Sequence, residues 1–435
     1  MHANVRYVKL ALIGLVAAVA LPGPAGAEIV DRGHSEALLA VAKDGTPRVA
    51  FFSGSDVVLA RRGVAGWTFT RVGRVPGTSH VLAGLVVDGR GRSSVLVQDE
   101  HGAWLALASR GRPLRVVFRP RKLDAIGPAG LTLDVAGRPA FAYGLQKPSG
   151  KTWLRLVTTD LRGRLHTHGI TKGGFPESAL VPGAAPVLFH GRLHVVETFT
   201  NQAIDWRPKR GGGWIGQYLF ASRVGSPAGR VVAAVSGGTL WAAWTELTSE
   251  SLSVLLTFSA ATQDTVIAVE HGIFRSLFVA DGRPELGADD WVEPQEGAFV
   301  DAGILADASG PFTELDGKLQ DYAKAPAGGR QILLSTDSGL EWFETPARPT
   351  LRVTLSVDGA GRASGQVTGA SSGLVQIYRE PGNAPRALAG TAELAPDGSF
   401  TAQLDAPSSP TFYRAVFVDP GTNVPYSALL RTPVG

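Results

Sequence analysis

Apolar residues along this chain fall in short runs of about five, separated by turn signals rather than by polar stretches of helical period. The segment 38–52, LLAVAKDGTPRVAFF, sets the pattern: a Val-, Ala-, Leu- and Phe-rich run, the turn Asp44-Gly45-Thr46-Pro47, then a second run. It predicts a strand, a tight turn and an antiparallel strand. The unit returns with its turn glycine at Gly91, Gly137, Gly191, Gly238 and Gly282, at spacings of 46, 46, 54, 47 and 44 residues. Gly317 (DGKLQDYAK) is the weaker candidate for a seventh copy.

A period in the forties with several short strands per repeat points to an all-β propeller, whose blades cover one another's faces around an axis. Four strands are expected in the first blade, near 38–42, 48–52, 57–61 and 67–71. Further blades are expected over 80–118, 129–170, 180–222 and 229–270. Residues 272–345 carry about six strand-like runs and read as two short blades, or as one blade with a long insertion. Seven blades over 28–346 are therefore expected, with six as the alternative.

From about Ala347 the texture changes. Arg348-Pro349 reads as a linker, followed by strand-like runs at 351–357, 363–367, 374–378, 386–392, 399–404, 412–418 and 426–431. Seven strands in residues 347–435 predict an immunoglobulin-like sandwich. Phe412-Tyr413-Arg414-Ala415 is similar to the penultimate strand of fibronectin type III and bacterial immunoglobulin-like modules. That resemblance implies a spacing, docking or binding role outside the cell.

Residues 1–27 read as a secretory leader. Arg6 and Lys9 precede the apolar run 10–21, which is too short to span a bilayer, and Ala25-Gly26-Ala27 has the form of a cleavage site. A secreted or extracellular protein is expected, associated with the cell envelope in the alternative, with no membrane insertion once the leader is removed. The chain has no cysteine, so disulfides and Cys metal sites are excluded. Formal charge is +4, from 42 Lys and Arg against 38 Asp and Glu, and the arginines are scattered in sequence. No nucleic-acid partner is expected.

Ser335-Thr336-Asp337-Ser338-Gly339-Leu340-Glu341-Trp342 matches S-x-D-x-G-x-x-W. It resembles the Asp box, or BNR repeat, of sialidase-type propellers. The resemblance implies a hairpin between the third and fourth strands of a blade. Ser335 and Asp337 would tie its turn, Gly339 would take its special dihedral, and Trp342 would pack between blades. Trp67 and Trp214, each following a Gly-rich turn, are expected to pack likewise. The box is structural in that family, and the sialidase catalytic set finds no match here. No F/Y-R-I-P segment is present, and only Tyr143, Tyr218 and Tyr322 fall in the propeller.

Candidate ligand-binding residues come from geometry. Second strands all end on one face of a propeller, six to eight residues past each aligned glycine. Those offsets give Tyr143, Glu197, Thr198, Trp244, Thr245, Glu246, Asp289 and Asp290, with Gln98 and Asp99 in the second blade. Carboxylates beside aromatics suit stacking on a sugar and bonding its hydroxyls. Glu197, Trp244, Glu246 and Asp289 are expected to line one pocket at the channel mouth.

Other chemistry is weaker. His190 and His194 flank a turn glycine. His166 and His168 share a strand face but lack a third ligand. Asp289, Asp290, Glu293 and Glu296 form an acidic run that reads as a solvated loop, with calcium as the alternative. No phosphate loop, dinucleotide fingerprint, nucleophile elbow or zincin motif occurs. No metal or cofactor is expected, and no catalytic residue is assigned. The reading is a non-catalytic recognition protein for an extracellular glycan, peptide or protein surface. The alternatives are a carbohydrate-active hydrolase or lyase with paired carboxylates, and a structural envelope protein. N-terminal sequencing of the exported chain is expected to begin at Glu28; material that begins at Met1 would contradict the leader.

Overall fold

The computed structural model describes residues 27–33, 36–171, 181–199, 202–221, 226–236, 238–247, 252–258, 266–270, 272–295, 298–307, 313–380, 386–406 and 412–431. Within them every regular element is a strand. Seven small antiparallel sheets form a ring. In the first, Ala37–Val41, Pro47–Ser53, Asp56–Gly63 and Gly66–Arg74 pair in sequence order, and the pattern repeats through the sixth. The first strands lie next to one another around the axis: Ala37–Val41, His80–Val87, Gly130–Leu133, Gly183–Phe189, Ser226–Ser236, Gly272–Ala280, Lys318–Lys324, and back to Ala37–Val41. The chain is a seven-bladed β-propeller.

The ring is closed by two ends of the chain. Blade seven takes three strands from Lys318–Lys324, Arg330–Thr336 and Gly339–Thr345, and its outermost strand is Glu28–Asp31. Glu28 also forms an ion pair with Arg62 of blade one at 2.6 Å, and the Arg62 guanidinium lies 4.7 Å over the Trp342 ring. Trp342 is fully buried and meets Trp67 edge to face at 6.1 Å. The closing strand, blade seven and blade one thus meet on one indole.

The turn glycines do what the repeat demands. Gly45, Gly91, Gly137, Gly191, Gly238 and Gly282 all sit between first and second strands with φ from +68° to +84°, a region that L side chains enter only at a cost. The seventh copy is Gly328, not Gly317. Gly328 N donates to Ala325 O as Gly45 N does to Ala42 O, and it falls 46 residues after Gly282. Gly317 instead precedes the first strand of blade seven. Its neighbouring Asp-Gly pair looks like the repeat because both are turns, but it turns the chain from one blade to the next.

Arginine strengthens two of these turns and one between the third and fourth strands of blade three. Asp88, Asp134 and Asp160 each open an Asp-x-x-Gly-Arg turn. One carboxylate oxygen accepts two backbone N–H groups at 2.8–3.0 Å, and the other accepts from the Arg Nε. Among the described residues, six hydrophobic clusters fill gaps between successive blades, and a seventh runs from the gap between blades six and seven into the core of the C-terminal sandwich.

The Ser335–Trp342 motif sits one hairpin earlier than the resemblance implies, between the second and third strands of blade seven. The Thr336 hydroxyl, rather than Asp337, accepts the Ser338 N–H at 3.1 Å. Asp337 points outward to Arg386 at 2.9 Å. Gly339 (φ +123°) is required by closure, because a Cβ there would collide with the backbone oxygen of Asp31.

After residue 351 a three-stranded sheet (Arg352–Val357, Arg362–Thr368, Ser399–Gln403) packs on a four-stranded one (Leu374–Glu380, Ala387–Glu393, Phe412–Val418, Pro425–Arg431). This sandwich does not merely follow the Arg348-Pro349 linker. Its Pro425–Arg431 edge pairs with the short outer strand Thr313–Leu315 of blade six through Leu315 and Tyr426, so one sheet runs through both. Arg414, buried in the sandwich, pairs with Glu380 at 2.5 Å and lies 3.5 Å from Glu314. Arg386 grips both oxygens of Asp316 at 2.7 and 2.8 Å.

Trp342→Ala is expected to lower stability by about 3–5 kcal/mol in urea unfolding, as for other fully buried large aromatics. A loss below about 1 kcal/mol would contradict the role given to that indole.

Candidate functional site

First strands begin, and second strands end, at the same mouth of the ring. There lies a cavity of about 440 Å³, within the usual range for small-molecule sites. Its apolar wall includes Leu38, Val81, Leu82, Ala83, Ile126 and Ile273; its charged groups are Glu36, Glu100, Arg230 and Arg275.

The innermost strand of each blade is a sheet edge, so its backbone groups toward the neighbouring blade lack ladder partners. In blades one, two, three and six, side chains of the preceding blade supply partners, and in blade four Ala184 N donates to the backbone Pro128 O. Gln320 Oε1 accepts from Ala37 N at 3.2 Å, and Asp321 Oδ2 accepts from Leu39 N at 2.8 Å. Glu36 accepts from Leu82 N at 3.3 Å, Gln98 from Ala129 N at 2.9 Å, and Thr245 from Phe274 N at 2.9 Å. Four of these five acceptors, all but Asp321, also line the cavity.

The charges are unequally committed. Arg275 is neutralised by Asp289, whose Oδ2 accepts from both Nε and the terminal nitrogen at 2.6 Å. Asp321 also accepts from Tyr322 N at 2.9 Å, and burial pushes its carboxyl up to about 6 against the pull of Arg230. Burial likewise raises Glu36, opposed by its Leu82 hydrogen bond, then by Arg275 and Arg230; Glu100 adds to the rise. Burial lowers Arg230, which makes one long hydrogen bond, to Arg275 O at 3.5 Å, and has no ion-pair partner among the described residues.

The expected pocket of Glu197, Trp244, Glu246 and Asp289 does not form among the described side chains. Tyr143 packs between blades two and three, 4.7 Å from the Phe118 ring, and burial pushes its hydroxyl up to about 12. Trp244 packs between blades four and five. Glu197 and Thr198 are buried in blade four, away from the cavity. Asp289 reaches the mouth only by holding Arg275. The side chains of Glu246, Asp290 and Glu293, and Glu296 altogether, lie outside the described residues.

The reason is strand alternation. Tyr143, Glu197 and Trp244 stand six residues past their turn glycines, and Gln98, Thr245 and Asp289 stand seven past theirs. One residue of offset reverses the face. Gln98 and Thr245 at position seven line the cavity and Asp289 holds its Arg275, whereas Thr198 at the same position stays buried in blade four; Tyr143 and Trp244 at position six fill the gaps between blades. Glu36, Arg230, Arg275 and Gln320 escape a count made only at second-strand ends. The starts of first strands reach the same mouth and would have given them.

Buried polar groups away from the mouth serve packing. His194 Nδ1 meets Asp205 at 2.9 Å in blade four. Arg330 and Tyr322 both donate to Glu285, at 2.8 and 2.7 Å, joining blades six and seven. His166 and His168 are exposed and bond Asp160 and Thr158. Among the described residues no three His, Asp or Glu side chains are grouped as a metal site.

No known protein family matches this chain, and no curated protein does. Solved structures are similar at low identity. The Hadza microbial sialidase Hz136 is 13% identical with a TM-score of 0.42, over 70% of this chain and 74% of that one. A puromycin hydrolase is 14% identical with a TM-score of 0.41, over 72% of this chain and 52% of that one. AofleA from Arthrobotrys oligospora is 12% identical with a TM-score of 0.37, over 67% and 92%. At these values no activity carries across, and the fold rests on the closed ring itself.

Glu197 gives a pH test. Burial pushes its carboxyl from 4.5 up to about 7, against the Trp206 Nε1–H donated at 2.7 Å. Between those values the folded chain binds more protons than the unfolded one, so this contribution to stability is lost as pH rises from 4.5 to about 7. Relative to Glu197→Gln, the native protein is expected to lose about 2–3 kcal/mol across that window in urea titrations. Parallel stability curves for the two proteins would refute it.

Proposed function

We propose that this is a secreted recognition protein that takes a ligand, from a glycan, peptide or partner surface, in the axial cavity. Arg230 carries the reading. A guanidinium has five donors that need partners; this one is drawn out of bulk water at a cavity wall and, among the described residues, makes a single long bond. Such a group suits a ligand better than a scaffold. The C-terminal sandwich, which we take as immunoglobulin-like, buttresses blade six and leaves the mouth to the propeller.

Glu36 and Glu100 favour a second reading, a carbohydrate-active hydrolase or lyase. Burial and mutual repulsion raise Glu36 and would keep it protonated longer than an exposed carboxylate, as a general acid requires. The test is to screen the exported chain against an oligosaccharide array and a dipeptide library, for binding and for cleavage. Hits are expected to weaken by about tenfold or more in Arg230→Met and in Val81→Trp, which fills the cavity. Equal binding by both variants would move the site elsewhere. Turnover that disappears in Glu36→Gln would favour the hydrolase.

A further inference from the structure

The groups left free in the cavity specify its ligand more narrowly than the cavity does. Its neutral polar side chains are largely committed. Gln98 uses both ends of its amide: Oε1 accepts from Ala129 N, while Nε2 donates to Gly127 O at 2.9 Å and Ile126 O at 3.4 Å. Gln320 Oε1 and Thr245 Oγ1 accept the N–H groups of Ala37 and Phe274. These neutral oxygens are thereby spent as acceptors, while Gln320 Nε2 and the Thr245 hydroxyl can still donate. Phe274 is the one aromatic among the described lining residues, and it is packed in the core between blades five and six; Tyr143 and Trp244 face other blade interfaces.

Charge remains, and it is polarised. Arg275 is cancelled by Asp289, whereas Arg230, held in the fields of Asp321 and Glu36, has no ion-pair partner among the described residues. Glu36 holds only the 3.3 Å bond from Leu82 N, and Glu100 stands on the same side. Arg230 belongs to blade five; Glu36 and Glu100 belong to blades one and two, each three blades away, the largest separation a ring of seven allows. Leu38, Val81, Leu82 and Ile126 line the same cavity. A ligand that satisfies this cavity carries an anion at one end, a cation at the other and an apolar body between.

Accordingly we propose that the axial cavity binds a small zwitterion of the amino-acid or dipeptide class, its carboxylate on Arg230 and its ammonium on Glu36 and Glu100. This rests on the axial cavity being the binding site. The ammonium would restore the ionised form of Glu36 that burial disfavours. Both contacts would be charge-assisted hydrogen bonds in a partly dehydrated site.

The experiment is calorimetric titration with leucyl-leucine, its N-acetyl derivative, its C-terminal amide and maltotriose. Leucyl-leucine is expected to bind, and blocking either end to weaken binding on the order of tenfold or more. In Arg230→Met the free acid and the amide should bind alike. In Glu36→Gln, which keeps an acceptor for Leu82 N, the preference for the free over the acetylated amine should fall, and in Glu36→Gln with Glu100→Gln the two should bind alike. Unchanged melting temperatures establish that the variants fold.

No binding of leucyl-leucine up to about 10 mM, or equal binding of all its derivatives, overturns the inference. Maltotriose binding that is lost in Val81→Trp, with no dipeptide bound, overturns the zwitterion while leaving the cavity as the site. Dipeptide binding that ignores Val81→Trp overturns the site itself.

Discussion

Every blade of this ring presents to the axis a strand whose hydrogen-bonding capacity is met on one side only. In an open sheet such an edge would invite another chain. Here the acceptors come from the blade before: Gln320 and Asp321 for blade one, Glu36 for blade two, Gln98 for blade three and Thr245 for blade six. The outer rim meets the same need by borrowing. Strand Glu28–Asp31 completes blade seven, and Arg62 ties it to blade one across the Trp342 ring. Apolar packing between blades supplies most of the stabilisation, but these directional bonds fix how far each blade is rotated against the next.

The same constraint shapes the cavity. A Gln or Thr oxygen that accepts a neighbour's N–H serves the scaffold, while the N–H of Gln320 and the O–H of Thr245 remain donors beside the charged side chains of the cavity. Glu36 belongs to both sets. It accepts from Leu82 N through one oxygen and keeps the other for the cavity. Asp321 is held at both oxygens by backbone N–H groups and remains behind the wall, where it balances Arg230 without sealing it off. Structure and recognition are therefore not separable at this mouth by side-chain type alone.

Much of the fold is legible in the chain. The glycine period marks six blades because φ near +75° at a tight turn leaves a residue-specific trace. The strands after 351 are visible as alternating runs. Gly317 misleads because an Asp-Gly turn says that the chain reverses, not where in a blade it does so. The closing strand is too short to announce itself, since Glu28–Asp31 means nothing until its partner near Trp342 is known. The site is less legible for the same reason. Counting past a glycine finds the right end of a strand, but a single residue decides between the mouth and the blade interface. Thus Gln98 and Thr245 face the cavity, while Tyr143 and Trp244 do not. Arg230 and Arg275 matter only because two blades carry them to one axis.

Hydrogen exchange of the backbone amides at the mouth tests this account most directly. If the side-chain acceptors lock the ring, the amides of Ala37, Leu39, Leu82, Ala129 and Phe274 exchange as slowly as the central strands and collapse with them in one transition as urea is added. Exchange of these amides orders of magnitude faster than the strands behind them, in native buffer, would show that the blades are held by apolar packing alone and that the mouth is not a built site.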